Sequence, residues 1–509
     1  MAPKDAPSAA PLAEREVTTI VIGVLLAVFL AALDQTIVAT ALPTIAAELR
    51  GADHLSWVVS AYLLTATVSM PIYGKLGDLY GRRALLTIAT SIFTAASVLC
   101  ALADGMGQLI AARALHGLGA GGLLTLAQAT IGEVVAPRER GKYQAYFAAV
   151  FASSSVGGPL VGGLFVDFLT WRWVFWINLP LGLAALALCL YALRHLPVHR
   201  RRARIDYVGA VLLTGGIGAL LLLVAWAGNL FAWTSLPALG LGAGALILLA
   251  LFALWERRAP DPLLPLQLFS NPVFRAAGAI IFFAVMAMLG SIAFLPLYLQ
   301  LAAGASASSA GLLLIPMTLA VVVGSTISGR VMMRTGRYKI LPIAGMSLAT
   351  AGYGAFALTA SAYSEALHIG VMAAIGAGIG MVFPVVTISV QNSVPPRDIG
   401  TATSANGLAR SLGGAIGVAI VGALLAGAIA HIIGAVQKIT TQADFITPSA
   451  ALAKLPPVLR AELLARAEDA YSAMFAACAG MTLLALIAAL FQKELPLRTR
   501  GEHAAAAGE

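Results

Sequence analysis

The chain has 509 residues, 60% of them hydrophobic and only 11% charged, with a formal net charge of +9. A soluble domain of this length needs far more polar surface, so the composition excludes one and points to an integral membrane protein. The positive charge does not call for nucleic acid. Most Lys and Arg fall in tails and connections on one side of the membrane, a bias that puts both termini in the cytoplasm and predicts a multi-pass protein of the cell (inner) membrane.

Fourteen apolar stretches are long enough to cross a ~30 Å bilayer core as helices. After a polar tail over 1–16, the first helix is expected at 17–41; it is too long for a signal-peptide core and is read as retained. It contains Asp34, with no basic residue between Arg15 and Arg50 to neutralise it. An ionisable group at that depth costs several kcal/mol unless it is protonated, paired or facing water. Residues 54–77 and 84–103 form the second and third helices around GKLGDLYGRR. In that turn Gly74, Gly77 and Gly81 permit close helix approach, Asp78 can meet the positive end of a neighbouring helix, and Arg82 and Arg83 offer forked donors.

The fourth helix, 107–133, carries Arg113 six residues inside its outer end, roughly 9 Å of rise. Asp34 lies seventeen residues along the first helix, roughly 25 Å from its inner start, so the two opposite charges share a depth. As neighbours they form a pair or share a water cavity; the alternative is that Arg113 only snorkels outward. His116, one turn deeper, either passes protons or is packed. The fifth helix, 142–166, places Gly158, Pro159, Gly162 and Gly163 within two turns, a stretch suited to bending and close packing. The sixth runs 173–194 and is followed by the basic run Arg194 to Arg204, read as an anionic-lipid contact.

Two further helices, 206–229 and 236–255, separate the halves. The second half is expected at 273–301, 309–333, 340–360, 365–391, 403–430 and 470–492, with a cytoplasmic tail over 493–509. Its outer loop, 431–469, contains Pro456–Pro457 and then LRAELLARAED, read as an amphipathic hairpin on the outer surface. GKLGDLYGRR (74–83) recurs as GRVMMRTGRY (329–338), and APRERG (136–141) as PPRDIG (395–400). The offsets of 255 and 259 residues indicate duplicated six-helix units, 17–194 and 273–492, with 206–255 inserted as linker helices.

LDQTIVATALP (33–43), GKLGDLYGRR, LIAARALHGLGAGG (109–122) and SVGGPLVGG (155–163) resemble four signature motifs of the major facilitator superfamily. Helix count, WRWVFWINLPLG (171–182) and QNSVPPRDIGTATSANGLARSLGGAIG (391–417) are similar to its fourteen-helix drug:proton antiporter family, over roughly 17–492. The resemblance implies two six-helix bundles plus two central helices, all α and embedded in the lipid bilayer. It implies a proton gradient as energy source with no cofactor, and small-molecule substrate and protons as partners. It assigns proton coupling to Asp34 and Arg113, and switching to Gly74, Asp78, Gly81 and Arg82. The exporter motif falls on Gly158, Pro159, Gly162 and Gly163, with Ser154 standing where a first glycine is common.

The expected function is efflux of amphiphilic drugs or toxic organic compounds, H+ in and substrate out; a dedicated exporter of one host-made metabolite, siderophore or antibiotic is the alternative. Relatives that export multivalent cations carry further acids in the second half. Here helices nine, ten and thirteen have none, and Glu365 falls at the outer end of helix twelve. Helix thirteen instead places Asn406 and Arg410 one turn apart, which favours neutral, monocationic or anionic amphiphiles and, through the arginine, anions. Gln35, Phe282, Phe283, Met286 and Phe383 complete the candidate substrate cavity. A periplasmic adaptor stays open as a partner if the cell has an outer membrane. Cys100, Cys189 and Cys478 lie in apolar stretches as packing residues, and no metal cluster, nucleophile–base set or phosphate loop suggests an enzyme or ATP drive.

Overall fold

Lipid offers the backbone no hydrogen-bond partners, so a chain this apolar satisfies its own N–H and C=O groups in helices. The computed structural model describes residues 14–51, 54–193, 205–228, 230–302, 311–360, 364–437 and 456–497. The basic run 194–204, the start of the N-terminal tail and 438–455 lie outside the described residues. Among the described residues fourteen helices are long and apolar enough to cross a membrane. They are α1 (Glu14–Glu48), α2 (Leu55–Tyr80), α3 (Arg82–Ala101), α4 (Met106–Val134), α5 (Arg140–Phe168) and α6 (Trp173–Ala192) in the first half. The linker pair is α7 (Tyr207–Trp226) and α8 (Leu236–Glu256). The second half holds α9 (Pro272–Ala302), α10 (Ile315–Thr335), α11 (Ile340–Thr359), α12 (Glu365–Asn392), α13 (Ile399–Gln437) and α14 (Pro457–Phe491).

Each half builds its own apolar interior. Val24, Val28, Leu86, Phe93, Leu123 and Phe147 pack together among α1–α5, and Ile280, Tyr298, Tyr353, Ile379 and Phe475 among α9–α14. The linker helices pack on each other, and α7 also touches α2 and α13. Tyr207, Val211, Leu236 and Leu246 on this pair stay exposed, as residues facing lipid do. Across the halves α2 lies on α13 and α5 on α10.

Several boundaries differ from the sequence expectation, among them the end of α1, which runs to Glu48 and not to 41. LRAELLARAED is not a separate outer hairpin: α14 starts at Pro457 and runs unbroken to Phe491. Proline is tolerated in the first turn, and no glycine or proline follows until Gly480, so nothing stops the helix. Similarly α13 continues to Gln437, past the expected end at 430.

The duplicated loop segments meet crosswise at the end of the molecule that carries the termini. A Cβ at Gly74 would lie 2.7 Å from the Gly400 carbonyl oxygen, and one at Gly141 would lie 2.6 Å from that of Gly329. Backbones this close require glycine at both crossings. The halves are thus sealed together at the terminal side, and space between them is left toward the other side.

A buried ion pair beside a central cavity

Asp34 sits on α1 where α4 and α6 converge. Arg113 Nη1 donates to Asp34 Oδ2 at 2.6 Å, and Asn178 Nδ2 donates to Oδ1 at 3.3 Å. Arg113 also donates through Nε to the Val58 carbonyl at 3.2 Å and lies 3.0 Å from His116 Nδ1. Asn178 reaches on to Ser97 Oγ at 3.0 Å, whose hydroxyl donates to the Phe175 carbonyl at 2.8 Å. Asp34, His116 and Asn178 are 0% exposed and Arg113 is 2% exposed. The pair is therefore shielded from bulk solvent, and its charges are stabilised by each other and by fixed dipoles.

Aromatic rings wall the pair off. The Arg113 guanidinium carbon lies 4.1 Å from the Tyr62 ring centroid, a cation–π distance, and the His116 ring stands 4.1 Å from that of Phe93. The Tyr62 hydroxyl donates to the Ala31 carbonyl at 3.3 Å and lies within reach of Gln35, which faces the central cavity. Tyr62 thus connects the Arg113 guanidinium to Gln35 at the cavity wall. His116 Nε2 is buried without a hydrogen-bond partner.

Helix α5 presses on α1 beside this centre. Cβ atoms at Gly158 and Gly162 would each lie 2.8 Å from α1, meeting Thr36 Cβ and the Ile37 carbonyl respectively. The Thr36 hydroxyl donates to the Ser154 carbonyl at 2.8 Å. Gly163 is different: a Cβ there meets nothing within 4 Å. Pro159 faces the cavity.

At the terminal side Asp78 joins the halves. Its Oδ1 accepts from the Gly400 N–H at 2.9 Å, and its Oδ2 accepts from the Thr401 N–H at 2.7 Å and the Thr401 hydroxyl at 2.8 Å. A carboxylate on the first N–H groups of α13 is favoured by the helix dipole and by the orphan donors there. Arg82 pairs with Asp78 and, through Nε, with Glu133 at 3.2 Å. Gly81 holds a φ of 87° at this turn, and a Cβ at Gly77 would collide with Arg82 and Leu126. Arg83 points away and is exposed. Arg140 donates to Val135, Gly132 and Gln391 Oε1, and Gln391 Nε2 donates to the Gln128 carbonyl at 3.1 Å.

A cavity of about 1480 Å³ lies between the halves. Both halves and α7 line it, from Gln128 and Gln144 in the middle of the bundle to Trp233, Leu312 and Ala426 toward the side away from the termini. Gln35, Phe383, Asn406 and Arg410 face it. Phe282, Phe283 and Met286 do not: Met286 is buried in the second-half core, and the phenylalanines pack against that core. On α9 the cavity face is Ile281, Val285, Met288, Leu289 and Ile292, a run at helical spacing rotated away from those three. Among the described residues no three His, Cys, Asp or Glu side chains gather where a metal would be held.

Sequence reasoning gave no role to Asn178, Tyr62, Glu133, Arg140 or Gln391. Asn178 had a signal, as an amide within the apolar run of the sixth helix. Glu133 and Arg140 sat at helix ends where charge is ordinary.

A family model described as Major Facilitator Superfamily matches residues 24–418. An uncharacterized MFS-type transporter of Mycobacterium tuberculosis is 37% identical, covering 94% of this chain and 69% of its own length. A multidrug transporter protein of Bacillus subtilis is 37% identical over 80% of this chain and 75% of its own. Among solved structures, a proton:xylose symporter superposes with a TM-score of 0.63 at 15% identity, covering 96% of this chain and 99% of that one; a likeness at that identity shows the fold alone.

Proposed function

This chain belongs to the major facilitator superfamily, and from that membership we propose that it exports amphiphilic drugs or toxic organic compounds in exchange for protons by alternating access. It is a multi-pass membrane transporter with efflux proteins among its relatives, and it is not an enzyme. The observation that carries proton coupling is the Asp34–Arg113 pair, buried inside the first half and shielded from bulk solvent.

Asp34 is stable when charged only while Arg113, Asn178 and His116 stay gathered around it. A proton on Asp34 cancels the attraction to Arg113 and lets α1, α4 and α6 repack. Protonated and deprotonated forms therefore favour different arrangements of the first half, and each proton biases the equilibrium by its differential affinity for them. The side of the cavity away from the termini is read as the outside, with both termini cytoplasmic in the inner membrane. The Asp78 latch then holds the inner seam shut while substrate leaves outward. Proton arrival at Asp34 favours release of the latch and return to the inward-facing form. Gly158 and Gly162 bring α5 onto α1 next to Asp34, so a shift at the acid is passed to a helix that packs on the opposite half.

The test uses purified protein in vesicles loaded to give either a pH gradient or a sodium gradient. Uphill movement of a fluorescent amphiphile is expected to follow the pH gradient and ignore sodium. Movement that follows sodium alone contradicts proton coupling. A competition panel then sets the breadth: many unrelated inhibitors support a drug exporter, and a single responsive compound supports dedicated export.

A further inference from the structure

We propose that the central cavity selects amphiphilic organic acids, with Arg410 as the residue that holds the acid group. This rests on the reading of that cavity as the site of the exported compound. Arg410 is the one charged side chain among the described residues lining the cavity. Its guanidinium carbon lies 5.9 Å from the Phe151 ring centroid across the space between α13 and α5. No carboxylate or hydrogen-bond acceptor meets it among the described residues.

Arg410 is half-buried in the cavity wall, and the fully buried guanidinium groups of the described residues are treated differently. Arg113 has Asp34, Arg82 has Asp78 and Glu133, and Arg140 has two backbone carbonyls and an amide oxygen. A half-buried cation held in an apolar wall without such a partner is poorly solvated, and an arriving anion offsets that loss. Arg410 keeps a planar set of donors free in an apolar wall, a geometry matched to a carboxylate or sulfonate.

Two more unpaired polar atoms stand in the same wall. Gln144 Nε2 and Asn406 Oδ1 are buried without partners, in side chains 4% and 7% exposed. Both residues line the cavity. Asn406 is one turn before Arg410 on α13, and Gln144 two turns before Phe151 on α5, so both lie on the terminal side of the Arg410–Phe151 contact. Gln144 adds a donor lower in the same wall. Asn406 Oδ1 is left to accept from a hydroxyl or amide N–H of the same ligand. Met70, Phe147, Leu289, Phe294 and Phe383 supply apolar surface for its body. The lining offers no carboxylate to a dication.

The experiment compares three probes that share a dansylated eleven-carbon chain and end in a carboxylate, a carboxamide or a trimethylammonium group. Equilibrium binding to the purified full-length protein in lipid nanodiscs is read by dansyl fluorescence at neutral pH. The carboxylate is expected to bind about tenfold tighter than the other two, the usual gain from one charge-assisted hydrogen bond. Arg410→Gln should bring the carboxylate down to the carboxamide's affinity and leave the carboxamide unchanged, which doubles as the folding control. Arg410→Lys should retain part of the preference. Equal affinities in the unmodified protein, a preference that survives Arg410→Gln, or no binding of any probe overturns the proposal. Tight binding of the trimethylammonium probe overturns it too, while leaving the cavity as a drug site. Failure of proton-driven transport would not alter this ranking, because binding is measured at equilibrium without a gradient.

Discussion

In the first half the buried polar centre is an ion pair, Asp34 with Arg113, braced by Asn178 and His116. Adding the repeat offsets of 255 and 259 to Asp34 gives residues 289–293 of the second half, where the buried polar side chain is Ser291, bonded to the Tyr353 hydroxyl at 2.7 Å. The same offsets applied to Arg113 give 368–372, and His368 there meets the Tyr298 hydroxyl at 3.1 Å. The terminal-side seams diverge in the same way. Asp78 caps α13 with its carboxylate, whereas the matching position is Met333, whose backbone carbonyl accepts from Arg138 at 3.1 Å. At these matched positions duplication kept the packing and left carboxylates in the first copy only. In the proposed mechanism a single half would hold both the proton-carrying group and the latch, with the second half moving against it.

Three pairs of substitutions break or sharpen this contrast. The largest effect is expected from Arg113→Ala, which strands a buried carboxylate and should cost about 3–5 kcal/mol. Thermal unfolding in detergent should show a loss that shrinks as pH falls, because protonation relieves the unpaired charge. Ser291→Ala in the second half should cost about 1 kcal/mol with no such pH dependence. Equal, pH-independent losses would erase the distinction.

Next comes the seam. Asp78→Asn removes the charge that Arg82 and the start of α13 share, and weakening charge-assisted bonds of this kind costs about 2–3 kcal/mol. A cysteine placed at Ser404 should then react at least tenfold faster with an impermeant maleimide from the terminal side. Met333→Ala should leave that rate unchanged. The smallest effect concerns α5: Gly158→Val overpacks against Thr36 and should cost about 1–3 kcal/mol, whereas Gly163→Val enters open space and should be near neutral. Transport and melting temperature of the two variants test that ranking.

Much of the arrangement was legible because helix rise is regular. Counting residues put Asp34 and Arg113 at one depth, and the structure joins them. The repeated loop segments marked a duplication, but that Gly74 meets Gly400 and Gly141 meets Gly329 appears only when the halves pack. Rotation about a helix axis was not legible. Helix α9 is apolar on every side, so no polar stripe marks its cavity face, and Phe282 and Phe283 looked as eligible as Ile281 and Val285. Asn178 was hidden for another reason, because its partners Asp34 and Ser97 lie on separate helices and only packing brings them together. The polar opening of α14 resembled a surface segment because its apolar run begins only near Tyr471, and the backbone had no reason to stop between them.

The measurement that bears most directly on the account is uphill export by Asp34→Asn protein, checked for folding by its melting temperature and by unchanged equilibrium binding of the amphiphile. With an imposed pH gradient, accumulation against the concentration gradient should vanish, while downhill exchange of the amphiphile persists. Undiminished uphill export by this variant would contradict the assignment of the buried acid as the proton carrier.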